Sequence, residues 1–102
     1  MTGKPIEKDV EERLRKGVEK AGGKCWKWVS PGNAGVPDRI VTIDGRTIFI
    51  ELKTDTGRVR PTQKVQIRNL QKCGQDVRVL KGMKDVEEFL KELFIREVRD
   101  GV

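Results

Sequence analysis

Apolar positions along this chain switch between a helical period and a period of two, and the switches predict the elements. Ile6, Val10, Leu14, Val18 and Ala21 recur at helical spacing between Pro5 and the pair Gly22-Gly23, which predicts an amphipathic helix with a glycine stop. Residues 24–30 alternate instead and predict a strand with Trp26 and Trp28 on one face. Residues 30–35, Ser-Pro-Gly-Asn-Ala-Gly, form a loop by composition. Residues 38–43 and 46–52 are rich in β-branched and apolar side chains, and Asp44-Gly45 between them is the strongest short hairpin signal. After a polar loop, Pro61 opens a helix with apolar positions at Val65, Leu70 and Cys73, closed by Gly74. Residues 76–80 predict a strand with Val77 and Val79 on one face, ended by Gly82. A last helix over about residues 85–98 carries Val86, Phe89, Leu90, Leu93 and Phe94 on its apolar side. The order α-β-β-β-α-β-α, without repeat or linker, is that of an α/β layer domain.

The 102 residues are one domain's worth, long enough to bury a core. With 37% charged residues and a mean hydropathy of −0.60, a soluble surface is expected. No segment resembles a signal peptide or is apolar enough to span a membrane, so the cytoplasm of the host cell is the expected compartment. Cys25 and Cys73 are then expected as reduced, buried small apolar groups.

Two absences narrow the chemistry. The chain has no His and no Tyr, which removes Ser-His-Asp and Cys-His nucleophile systems, His-ligated zinc, His general bases and tyrosine recombinases. An enzyme built from this sequence must work with carboxylates, lysine, hydroxyls and a metal. The net charge of +6 also has a location: residues 53–81 hold eight basic and two acidic side chains, an excess equal to that of the whole chain. Such a segment suits a polyanionic partner, or serves as a solvated basic face.

The hairpin raises a question about charge. A two-residue turn at Asp44-Gly45 pairs Ile43 with Arg46, and every further pair keeps residue numbers summing to the same value. Asp38 then falls opposite Glu51, with β-carbons about 4.5–5.5 Å apart. Lys53 faces the same way, while Ile48, Ile50 and Leu52 face the other side and suit a core. Directly opposed carboxylates destabilise a sheet unless a cation sits between them. Lys53 supplies part of that charge, and a divalent metal with hard oxygen ligands would supply more. A slipped register or a bulge would instead leave both acids as solvated strand-end residues.

Pro37-Asp38 followed by Glu51-Leu52-Lys53 resembles the PD-(D/E)xK nuclease signature. More narrowly, Gly35-Val36-Pro37-Asp38-Arg39, Glu51-Leu52-Lys53, Gly57-Arg58 and Pro61-Thr62-Gln63 resemble the virus-type replication-repair nuclease family, VRR-NUC, in its stand-alone phage-type form. The resemblance implies a restriction-endonuclease-like α/β core over residues 1–102, a mixed central sheet flanked by helices. It implies an Mg²⁺- or Mn²⁺-dependent DNA endonuclease, with Asp38, Glu51 and the Leu52 backbone carbonyl on the metal and Lys53 orienting or activating the attacking water. It further implies that Gln63 orders the site or touches phosphate, an exposed helix-start residue being the alternative. An acid from the first helix is implied too: Glu7 matches the pattern better than Glu11, one turn on. Arg60 stands where family members often carry Ser or Thr, which removes a helix cap.

Arg58, Arg60 and Lys64 flank the site as candidate phosphate contacts. Arg39 points to the opposite face of its strand and is not assigned to catalysis. Trp26 and Trp28 serve packing or stack on bases. By resemblance, the stand-alone form implies a homodimeric Holliday-junction resolvase acting on branched DNA. The alternatives are a nuclease preferring flap or nicked DNA, or a non-catalytic basic DNA-binding module, for which opposed acids beside a phosphate track would be a liability.

Overall fold

The computed structural model describes residues 7–100, with side chains through Ile95, so Pro5 and Ile6 of the expected first helix lie outside the described residues. Helix α1 (Glu7–Lys20) is followed by β1 (Lys24–Lys27), β2 (Arg39–Ile43), β3 (Arg46–Lys53), α2 (Pro61–Lys72), β4 (Asp76–Lys81) and α3 (Gly82–Asp100). The order matches the sequence reading. The first strand is shorter than expected, and α3 begins directly at Gly82.

The four strands lie in the order β1-β2-β3-β4. The first two pairings are antiparallel and β3 pairs with β4 in parallel, with α2 as the crossover. The turn at Asp44-Gly45 has φ of 49° and 74°, the left-handed pair that a two-residue type I′ turn requires. Ile43 accordingly pairs with Arg46 and Arg39 with Ile50, the predicted register.

Alternation divides the sheet into two unlike faces. Val41, Ile43, Ile48, Ile50 and Leu52 point inward and form one core with Val10, Leu14 and Val18 of α1 and Val86, Phe89, Leu90 and Leu93 of α3. The outer face carries Phe49, Glu51, Lys53, Val77 and Val79 and is only partly covered. Helix α2 rests against β4 and buries none of its residues. Val65, expected on the packed side of that helix, is 53% exposed. A crossover helix over one edge of a sheet has too little opposing surface to bury a full apolar stripe.

Cys73, expected inside, is exposed at the end of α2, whereas Cys25 packs against the core. Burial pushes the Cys25 thiol up to about 11. Both thiols are free. Among the described residues, no helix is long and apolar enough to cross a membrane.

Candidate active site

The hairpin delivers its acids to the end of the sheet where β2 begins and β3 ends. The buried ring of Pro37 anchors the entry to β2, and Asp38 follows at once. Asp38 Oδ1 accepts the Leu52 backbone N–H at 3.1 Å, so its side chain reaches across to β3 beside Glu51. Glu51 is only 3% exposed. Its Oε2 accepts Gln63 Nε2 at 3.0 Å and lies 3.2 Å from Lys53 Nζ. Gln63 is thus a bridge: its Oε1 accepts the Arg60 backbone N–H at 2.8 Å. The Gln63 amide thereby satisfies an N–H at the start of α2 while its other end fixes Glu51. The helix start that lacks a Ser or Thr cap at position 60 is tied to the acid pair through this side chain.

The electrostatics are those of acids held against their preference. Burial pushes the Glu51 carboxyl above the usual range, the Asp38 charge adds to this, and Lys53 partly offsets it. Burial likewise raises Asp38, opposed first by the Leu52 amide and then by Arg39. A cation brought between these groups would relieve both.

Helix α1 contributes from the inner layer. Carboxylate oxygens of Glu7, Glu11 and Asp38 all lie within 4.8 Å of one another, while Glu51 is not part of that group. Glu7 and Glu11 nevertheless face different surroundings. Glu7 lines a cleft of about 420 Å³ with Asp38, Glu51, Lys53, Gln63 and the two arginines Arg58 and Arg60. Glu11 lines a separate cavity with Cys25 and Arg39, and its Oε1 accepts Arg39 Nη2 at 2.5 Å. Glu7 thus lines the cleft, while Glu11, equally near Asp38, is also held by a buried guanidinium. Lys64, the third candidate phosphate contact, lies exposed on α2 and does not line the cleft.

Arg39 faces inward as expected, yet it is more than a bystander. At 7% exposed it occupies a core position in the alternation that continues with Val41 and Ile43. A charge at a core-facing strand position was the available sequence signal that it needed a partner. Replacing Glu11 with Leu strands that guanidinium and is expected to cost about 2–3 kcal/mol. The double variant Arg39→Met/Glu11→Leu should recover more than half of the loss. Glu7→Gln, at an exposed position, should change stability by less than about 0.5 kcal/mol. Urea unfolding of the three variants in EDTA reads all of these outcomes.

The donor set suits a hard divalent cation: carboxylate oxygens converge on one cleft, those of Asp38 and Glu51 with raised proton affinity, and among the described residues no His or Cys enters it. A mixed sheet with an acid opening one central strand, an acid closing the next and a lysine two residues on defines a PD-(D/E)xK-type nuclease. Residues 7–84 match the VRR-NUC domain, and the chain belongs to that family. It is 40% identical over 75 residues to the protein called "Putative nuclease p44" of Acyrthosiphon pisum secondary endosymbiont phage 1, covering 72% of this chain and 81% of that one. A solved structure described as a VRR-NUC domain superposes with a TM-score of 0.77 at 26% identity, over 83% of this chain and 94% of that chain. The fold is also shared with Archaeoglobus fulgidus Hjc, described as a Holliday junction resolvase, with a TM-score of 0.55 at 18% identity over 72% of this chain and 65% of that one.

Proposed function

We propose that residues 1–102 act as one cytoplasmic, Mg²⁺- or Mn²⁺-dependent endonuclease domain that cuts branched DNA, as a homodimer resembling Holliday-junction resolvases. The observation that supports this best is the convergence of Glu7, Asp38, Glu51, Lys53 and Gln63 on one cleft lined also by Arg58 and Arg60. A pure binding module gains nothing from buried acids there, because they repel phosphate.

Asp38, Glu51, the Leu52 carbonyl and Glu7 are the groups that would hold the cation. When bound, it neutralises phosphate charge and makes water a nucleophile near neutral pH. Lys53, ion-paired with Glu51, orients the attacking water and offsets charge developing on the phosphate. Gln63 keeps Glu51 from turning away, since its own amide is fixed at both ends. Arg58, Arg60 and the outlying Lys64 hold the flanking phosphates. The basic excess of the 53–81 segment is smaller in effect than its count, because two of its cations also pair with acids outside it: Arg78 with Glu92 at 3.0 Å and Lys53 with Glu51. Two strands cut symmetrically need two such sites, which is the reason for a dimer.

The test is cleavage of a labelled four-way junction, a flap and a linear duplex with Mg²⁺, Mn²⁺ or EDTA, using wild type and Lys53→Ala. Symmetric, metal-dependent junction cutting that the variant loses by about 10²–10³-fold is the expected result. Binding without cutting under every metal would overturn the enzyme and leave the non-catalytic DNA-binding module. Preferential cutting of the flap would replace the junction with a simpler branch.

A further inference from the structure

The pairing of β1 with β2 sets Trp26 against Ile40 and continues past the last residue of β1. The Trp28 backbone N–H donates to the Asp38 carbonyl at 3.0 Å. Trp28 therefore stands beside Asp38 on one side as Glu51 does on the other. Across the outer sheet face one row reads Trp26, Ile40, Phe49, and carrying both registers one residue further gives a row Trp28, Asp38, Glu51 beside it. An aromatic row thus adjoins the acids.

The two rows are built together. The Trp28 and Phe49 rings meet with centroids 5.3 Å apart at 50°. Trp26 is 47% exposed, its indole N–H donates to Thr42 Oγ1 at 3.0 Å, and Lys24 Nζ lies 4.8 Å from its ring centroid. The polar edge of that indole is satisfied within the sheet and the Lys24 ammonium sits over one face of its ring, so what it offers outward is the part of the ring that stays exposed. Helix α2 packs against β4, and on this side of the outer face Trp28, Ile40 and Phe49 are half-buried while Trp26 is exposed.

We propose that this aromatic shelf stacks a base exposed where the helix stack is interrupted, next to the phosphate being cut, so that the substrate of the proposed nuclease is DNA with a break in base stacking at the cleavage point. The inference rests on the nuclease reading. A continuous duplex hides the faces of its bases, and a branch, flap or gap exposes them; every base offers such a face, so recognition is by structure and not by sequence. Two features favour nucleic acid over a second copy of this chain as the occupant. The shelf adjoins the acids through Trp28, where a phosphate must arrive, and the ammonium of Lys24 over the Trp26 ring adds a positive charge that suits a phosphate track.

The experiment measures binding in EDTA, where no cutting occurs, by fluorescence anisotropy and tryptophan emission. The probes are a duplex carrying a short unpaired flap and the same duplex unbroken. Wild-type emission should be quenched by the flapped DNA and much less by the duplex. Trp26→Ala and Trp28→Leu should each weaken binding of flapped DNA by about 5- to 100-fold while changing duplex affinity by less than about twofold. Equal weakening on both DNAs, or quenching by neither in the wild type, overturns the shelf. So does a dimer seen by sedimentation without DNA that the Trp26→Ala change dissociates, which would assign the face to a second copy. Stacking that persists in EDTA when Mg²⁺ and Mn²⁺ support no cutting would sink the nuclease reading alone.

Discussion

Replacing Asp38 with Asn is expected to abolish cleavage and at the same time raise the thermal midpoint of the metal-free protein. Asn retains the oxygen that accepts the Leu52 N–H, so the local geometry is kept. It removes a charge that burial has made unfavourable and that lies within reach of Glu7 and Glu11. The sign follows from linkage. The folded-state affinity of Asp38 for a proton is raised above that of the unfolded chain, so the metal-free native state is favoured with the group protonated. That contribution is present at acid pH and is lost as pH rises through the raised value. At neutral pH the wild type therefore carries an ionised group that opposes folding, and Asn does not. The stabilisation should appear as pH rises above the ordinary carboxylate range and vanish at low pH, where both proteins are neutral at this position. Mg²⁺ or Mn²⁺ should reverse the ranking, because a cation bound by the native state alone stabilises only the protein that binds it. Cleavage should fall on the order of 10³-fold. Scanning calorimetry across pH, with metal and with EDTA, checks each part. An Asn variant less stable than wild type in EDTA at neutral pH would show that Asp38 is a structural acid.

Gly35→Ala should be costly for a different reason, and the loss should reach the cleft from outside it. Gly35 has φ of +89°, a conformation that L side chains rarely adopt. A Cβ there would lie 2.7 Å from the backbone carbon and oxygen of Thr62 and 3.0 Å from the Gln63 nitrogen. These are backbone atoms of the first turn of α2 and cannot swing aside as a flexible side chain does. Relief requires moving the start of the helix, and Gln63 moves with it. A cost of about 2–3 kcal/mol is expected from strained φ and contact together, a fall of roughly 10–20 °C in the midpoint for a domain of this size. Cleavage measured well below that midpoint should fall as well, to the level of Gln63→Ala, because Glu51 loses the same hydrogen bond in both. Gln63→Ala, at a partly exposed position, should lose activity with little stability. Gly35→Ala protein that melts and cuts like wild type would remove this glycine from the site.

Much of the site was legible because it is local. Asp38, Glu51 and Lys53 sit on two strands joined by two residues, and once Asp44-Gly45 sets the turn the pairing of those side chains is arithmetic. The glycine and glutamine of the longer motif find their physical reason in one contact, loop against helix start, with Gln63 reaching on to Glu51. The apolar faces of α1 and α3 follow from helical spacing; α1 buries Val10, Leu14 and Val18, with Ala21 buried just past its end, and α3 buries Val86, Phe89, Leu90 and Leu93, while Phe94, also expected on the packed side, is 50% exposed. Helix α2 shows the opposite. Val65, Leu70 and Cys73 have respectable spacing but only the edge of a sheet to pack on, and spacing carries no information about how much surface waits opposite.

Sequence by itself determined the order of elements, the hairpin register and the opposition of two acids, because each depends on residues close together in the chain and on rules of turn and pleat. Tertiary structure alone decided which acid of α1 opens to the cleft, since Glu7 and Glu11 lie one turn apart and differ only in that a buried Arg39 from another layer holds the second. It alone decided that Cys73 is exposed, that Arg78 is spent on Asp76 and Glu92, and that Trp28 stands beside Asp38. That last pairing closes the irregular segment 28–38 between β1 and β2, which sets no register of its own. Where the connection is a tight turn, chemistry of the turn decides the neighbours; where it is a long loop or a crossover, packing of the finished layers decides them.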